Sequence, residues 1–287
     1  MDEYTCNEIQ EEISVLKKSF AIVRLVDPVK CKIIGITTDA LGHSTLEIKD
    51  TCYEVWQYSS QCTNCTSARA LRKKTLQTKC ELCGGNPFSI TARPVIVDHV
   101  PLVLEIVQPF SFTNKENDAP IPGFADLIRT INQKVLLDDE THAFSLEYLN
   151  EHLPNIFSEA ATQNIHTALV RLISYDTILD QFGPVAASGA IFQLYDLLRT
   201  MLTISDEPPV LVRINKNTFF IIDKTLSWDD FTGFMESLKT QETPPHLLFQ
   251  SKRLPFQIKI AYSGITKEHL KENRSLFRQL EAQLCDS

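Results

Sequence analysis

The stretch Val210–Ile222, VLVRINKNTFFII, constrains this chain more than any other. Two apolar runs, Val210-Leu211-Val212 and Phe219-Phe220-Ile221-Ile222, flank the polar segment Asn215-Lys216-Asn217-Thr218. β-Branched and aromatic runs around an Asn-containing tip read as two strands joined by a tight turn. Asn suits such a tip because it tolerates the left-handed conformation these turns use. Taken alone this is a buried hairpin and carries no chemistry. An αβ pattern precedes it, and a helix and another strand follow.

Length and composition bound the rest. A chain of 287 residues suggests two domains, and 43% hydrophobic residues fill ordinary cores. No run approaches the ~18 apolar residues of a membrane span. The opening segment MDEYTCNEIQEE is acidic and polar, unlike a secretory signal, so a cytoplasmic location is expected. A net charge of −8 argues against nucleic acid or an anionic membrane as partner, since both need a positive field. Eight cysteines in such a chain read as metal or redox groups rather than a disulfide framework.

From Asp138 onward the expected elements are helix Phe144–His152, strand Thr167–Ser174, helix Ser188–Thr203, the hairpin, helix Trp228–Lys239, strand Phe256–Ser263 and helix Lys267–Leu284. Alternating α and β with antiparallel pairs predicts an α+β sandwich around a central sheet. With Arg213 opening the polar segment and Phe219 closing it, the hairpin resembles the Arg-x-Gly-Gly-Asp-Glu-Phe hairpin of GGDEF (diguanylate cyclase) domains. The element order is also that of the GGDEF fold, which is related to nucleotide cyclase and polymerase palm domains. In that frame Asn215 and Lys216 stand for the two glycines, and Asn217 and Thr218 for the acidic pair.

Joining two GTP molecules needs carboxylates that hold a divalent metal. The family's first metal acid falls on Arg171 or Ile173, depending on register, within Arg171–Pro184. Its guanine contacts fall on Leu179 and on Ala190. Its inhibitory Arg-x-x-Asp is replaced by Asp206-Glu207-Pro208-Pro209. Framework positions such as Tyr175, Ile178, Asp180, Phe182, Gly183, Gly189, Leu197, Arg213 and Phe219 match, and Asp138 and Thr141 fit the family's Asp-x-Leu-Thr opening. The resemblance thus implies a degenerate GGDEF domain over 138–287 with no catalytic and no nucleotide-binding residues. The competing expectation is an enzyme with residual nucleotide chemistry.

Upstream, a helix over 6–19 precedes strands at Phe20–Val26 and Cys31–Ile36. Residues 41–50 are polar and poorly periodic. A short helix near Cys52–Trp56, a helix from Thr66 to Lys74, and strands at Leu76–Leu82, Phe88–Val97 and Val100–Gln108 follow, the last two joined by Asp98-His99. Strand, strand, short helices and three antiparallel strands is the order of a PAS domain. The runs Ile22–Pro28, Cys52–Trp56 with Cys62-x-x-Cys65, and Thr91–Val95 resemble PAS sensor modules found ahead of bacterial GGDEF domains. The resemblance spans 1–112 and implies a five-stranded antiparallel sheet with a cavity that has room for a small ligand, which the sequence does not name. Residues 113–137 are then a linker and signalling helix. The stripe Leu127, Ile128, Ile131, Val135 either packs on a domain or pairs with its copy in a homodimer.

Cys62-x-x-Cys65 and Cys80-x-x-Cys83 have the spacing of a four-cysteine zinc site, with Cys52 an alternate ligand. Against zinc stands the predicted strand, in which Cys80 and Cys83 point to opposite faces. The alternatives are buried cysteines acting as small hydrophobes, or a redox-switched CxxC. The seven histidines are scattered and read as surface or loop residues. The sequence thus predicts a regulatory protein: a PAS-like sensor coupled to a sterile GGDEF-like domain that acts by dimerisation or contact with a protein partner. A zinc-stabilised adaptor is the remaining class.

Overall fold

A computed structural model describes residues 1–40, 42–110, 123–202, 208–240, 248–249, 252–266, 269 and 273–286. The chain divides into two compact units, Met1–Leu136 and Leu137–Ser287. Among the described residues no helix is long and apolar enough to cross a membrane. Both units are mixed α+β.

The first unit runs β1 (Asp2–Tyr4), α1 (Cys6–Leu16), β2 (Ile22–Asp27), β3 (Lys32–Thr38), β4 (Ser44–Thr51), a 3-10 turn (Glu54–Trp56), α2 (Thr66–Lys73), β5 (Gln77–Cys83), β6 (Asn86–Val97), β7 (Val100–Pro109) and α3 (Phe124–Lys134). Thr5 and Glu8 start α1 with reciprocal side-chain bonds to each other's backbone N–H. That helix buries Cys6 and Ile9 against Val23, Leu25, Val95 and Leu104. The sheet order is β1-β6-β7-β2-β3-β4, with β5 also on β6.

Seven strands replace the expected five, and the sheet is mixed because β1 runs parallel to β6. The added β4 lies in the stretch that looked merely polar. It is a largely exposed edge strand, and polar residues on such an edge discourage pairing with other chains while hiding the β signal. Asp98 and His99 carry φ of 43° and 68°, giving the tight turn expected between β6 and β7. The expected linker falls on 111–122, outside the described residues. The α3 stripe divides: Ile128 is buried, whereas Leu127, Ile131 and Val135 are exposed.

The second unit comprises β8 (Phe144–Ser145), α4 (Leu146–Glu159), β9 (His166–Leu172), α5 (Tyr175–Phe182), α6 (Pro184–Leu202), β10 (Val210–Asn215), β11 (Thr218–Asp223), α7 (Trp228–Thr240), β12 (Leu248–Phe249), β13 (Lys252–Arg253), β14 (Ile258–Gly264) and α8 (Asn273–Asp286). Its main sheet is ordered β14-β9-β11-β10-β8 and is antiparallel except for β8 on β10. Central β11 is buried along its whole length. Phe219 and Ile221 join the core under α5, α6 and α7, while Phe220 and Ile222 face α4 and α8. Each such side chain contributes roughly 1.5–3 kcal/mol by leaving water, which is why the run is apolar on both faces.

Two expectations here need correction. The helix expected at Phe144–His152 begins two residues later and runs on through Pro154 to Glu159. Helix α5 was not expected, although Ile178 and Phe182 sit one turn apart on it. The last helix is described from Asn273, with residues 267–268 and 270–272 outside the described residues.

Candidate functional sites

The hairpin forms where expected, but its turn is built differently. None of Asn215, Lys216 and Asn217 has a positive φ. Instead the Asn215 side chain accepts from the Asn217 N–H at 3.1 Å, and a register shift between Arg213 and Asn215 bends the strand. An Asx turn with a bulge thus replaces the left-handed turn.

Arg213 fastens this tip from below. Its guanidinium donates to the carbonyls of Asn215 (3.3 Å) and Lys216 (2.9 Å), to Asp138 Oδ1 (2.8 Å) and to Glu140. Asp138 also accepts from the N–H and hydroxyl of Thr141 at 2.9 and 2.7 Å. Burial pushes the Asp138 carboxyl up, but these hydrogen bonds and the adjacent guanidinium outweigh it and hold the group below the usual carboxylate range.

On the other side, Arg171 of β9 lies opposite buried Thr218. Its Nε donates to Thr218 Oγ1 at 3.1 Å, and its Nη2 grips both oxygens of Glu281 at 2.7 and 2.8 Å. Of the two registers left open by the sequence, Arg171 therefore faces the hairpin; Ile173 is exposed and its N–H bonds Gln257. Asn217 donates from Nδ2 to the Leu172 carbonyl at 3.2 Å. Lys216 reaches Asp176 at 2.5 Å, which raises its ammonium above the ordinary lysine value. Each of Asp138, Glu140, Asp176 and Glu281 is thus held by an arginine or lysine. Divalent metal needs carboxylates free to ligate, so these residues do not fit one at this tip. Leu179 packs partly buried in the core, and Ala190 is fully buried within α6, so neither offers a polar group to a base. Asp206 and Glu207 lie outside the described residues.

The four cysteines of the two CxxC pairs have separate surroundings. Cys65 caps α2, its Sγ accepting from the Ala68 N–H at 3.4 Å, and burial pushes its thiol up to about 11. Cys62 lines a cavity of about 510 Å³ with Trp56, Tyr58, Gln61, Glu81 and Asn132, and burial raises its thiol too, opposed by nearby Lys79. Strand β5 runs unbroken through Leu82, and Gly84 and Gly85, with φ of 56° and 83°, turn only afterwards. Cys80 consequently faces outward and is exposed. Cys83 lies on the opposite face and donates to the Val55 carbonyl. Among the described residues no three His, Cys, Asp or Glu side chains gather around a point that a metal could occupy. The convergence expected of Cys62, Cys65, Cys80, Cys83 and the alternate Cys52 does not occur, because a continuous strand separates the second pair.

What the sequence reading missed is the polar network around that cavity. Lys79 and Glu81, two apart on one face of β5, form a buried pair at 2.6 Å. Lys79 also donates to the Asn64 carbonyl, and Tyr58 donates to Glu81 at 3.0 Å. Asn64 and Asn132 bond at 2.9 Å, and Asn132 donates to the Cys80 carbonyl, tying α3 to the CxxC loop. Two buried polar atoms of this loop, Gln61 Nε2 and Thr66 Oγ1, have no hydrogen-bond partner among the described residues. The only sequence signal for this site was the opposite charges at i and i+2 of a strand. The histidines also need correction: His152, His166 and His269 are buried, and the last two bond Leu226 and Gln279.

No family model and no curated protein matches the chain. Among solved structures it is similar to GGDEF diguanylate cyclase domains, which align with about half of it. The diguanylate cyclase SiaD of Pseudomonas aeruginosa, solved with its activator SiaC, gives a TM-score of 0.49 at 12% identity, covering 56% of this chain and 61% of that one. The coiled coil and GGDEF domain of DgcB from Caulobacter crescentus, in complex with c-di-GMP, gives 0.49 at 12% identity, covering 55% and 83%. The FimX GGDEF domain from Pseudomonas aeruginosa gives 0.44 at 14% identity, covering 53% and 95%.

Proposed function

We propose that this chain is a regulatory protein in which a PAS-like sensor, residues 1–112, is coupled through α3 to a degenerate GGDEF-like domain that does not make cyclic dinucleotide. The observation that carries the reading is the Arg171 guanidinium opposite Thr218 and beside Asn217, where the resemblance calls for metal-gripping acids. Arg171, Asn217 and Thr218 offer magnesium no carboxylate there, and the several kcal/mol of charge stabilisation that a metal supplies is forfeited. For the sensor, support comes from the run β3-β2-β7-β6-β5 within the larger sheet, with the helical segment between β3 and β5 as the PAS order requires. The contact of Asn132 in α3 with the CxxC loop gives the sensor a route to the signalling helix. The output is a change in dimerisation or in contact with a protein partner.

The test is incubation of the full chain with GTP and Mg²⁺. No cyclic dinucleotide is expected. Its formation, at a rate lost on Asn217→Ala substitution, places the chain among the enzymes and overturns the reading.

A further inference from the structure

Outside both sites, the two remaining cysteines near β3 and β4 stand face to face. Lys32 and Thr51 are paired in the β3–β4 ladder, and the next residues outward are Cys31 and Cys52. The Cys52 N–H donates to the Cys31 carbonyl at 2.9 Å, just beyond the last paired residues of the two strands. That backbone bond holds the two residues side by side, and a disulfide asks for Cα atoms roughly 4.4–6.8 Å apart. The Cys31 thiol donates to the Pro28 carbonyl at 3.7 Å. Both residues are buried, 6% and 8% exposed, in a small cluster with Val26. Cys31 is held at φ 54°, a left-handed conformation that glycine or asparagine adopts more easily. The position thus keeps a thiol against the preference of its backbone.

We propose that Cys31 and Cys52 form a reversible disulfide, made by hydroperoxides and undone by small dithiols. In the forward step one thiol loses its proton and its sulfur attacks the O–O bond, giving a sulfenic acid and an alcohol, or water when hydrogen peroxide is the oxidant. The second thiol loses its proton and displaces hydroxide from that sulfur, which leaves as water. Two electrons pass from the sulfurs to the peroxide, and one S–S bond replaces two S–H bonds. A dithiol reverses this by exchange. The bridge fastens the edge hairpin β3–β4 where the chain enters the Glu54–Trp56 turn, upstream of Cys62. This site is independent of the hairpin tip and stands whether or not that tip turns over nucleotide.

The experiment treats the full chain with hydrogen peroxide, blocks free thiols, and maps cross-links after cleavage at Lys, Arg and Glu without reductant. Cleavage at Glu54 separates Cys52 from Cys62 and Cys65. The expected product is Cys31-Lys32 joined to the fragment 50–54, two hydrogens lighter than the sum, and restored by dithiol. Cys31→Ser loses it, whereas the Cys62→Ser, Cys65→Ser double variant keeps it. A bridge within Cys62 and Cys65, a bridge from Cys52 to Cys65, or oxidation of exposed Cys80 and Cys285 with no cross-link overturns the proposal.

Discussion

The hairpin tip of the second unit and the cysteine loop of the first are both polar, yet they are finished in different ways. At the tip, Arg213, Arg171 and Lys216 each hold a carboxylate, and the turn carbonyls of Asn215 and Lys216 accept from Arg213. Around the loop, a buried ion pair underlies a cavity of about 510 Å³, and Gln61 Nε2 and Thr66 Oγ1 are buried without partners. A buried polar atom left unsatisfied costs about 1–3 kcal/mol, so a fold tolerates few of them. The tip is closed by its ion pairs, whereas the loop borders a cavity.

Four substitutions or titrations sharpen or break that contrast. The largest effect is expected at Glu81→Gln, which leaves Lys79 as an uncompensated charge in the first unit. Removing one member of a buried pair costs about 3–5 kcal/mol, read from the urea midpoint. An unchanged midpoint breaks the view that this pair floors the cavity. Next, Arg213→Ala removes bonds to two turn carbonyls and two carboxylates at once, with an expected loss of about 3 kcal/mol in chemical denaturation. A near-neutral result means that the tip is not closed by this residue.

A smaller effect follows from pH. The Asp138 carboxyl is held low in the fold, so the stability it contributes is fully present above its unfolded pKa of about 3.9. That stability is lost as the pH falls through the lower folded value. Asp138→Asn should flatten the acid limb of stability against pH, and an unaltered limb contradicts the assignment. The smallest change is expected at Gln61→Leu. Deleting an amide whose nitrogen has no partner should be neutral or slightly stabilising, within about 0.5 kcal/mol. A loss well beyond that shows that the nitrogen is satisfied in solution.

These regions were unequally legible in the sequence. The hairpin was readable because β11 is buried on both faces, which forces the unbroken run Thr218–Asp223 to be mostly apolar. Its turn was misread because an Asn side chain can supply the bond that a left-handed backbone supplies elsewhere, and the two leave the same residue type behind. Strand β4 was missed because an exposed edge needs no apolar alternation. The CxxC spacing does not reveal whether the intervening chain turns; β5 stays extended, so Cys80 and Cys83 diverge. Lys79 and Glu81 went unremarked because opposite charges two apart occur on most exposed strands. Only the fold shows that these two are buried together.

The claim at the centre is that cations occupy the hairpin tip where a cyclase would bind magnesium and GTP. It is tested most directly by calorimetric titration of GTP into the full chain, with and without Mg²⁺. The account predicts no magnesium-dependent binding at any concentration up to millimolar. Saturable binding that requires magnesium and disappears in Asn217→Ala would contradict it.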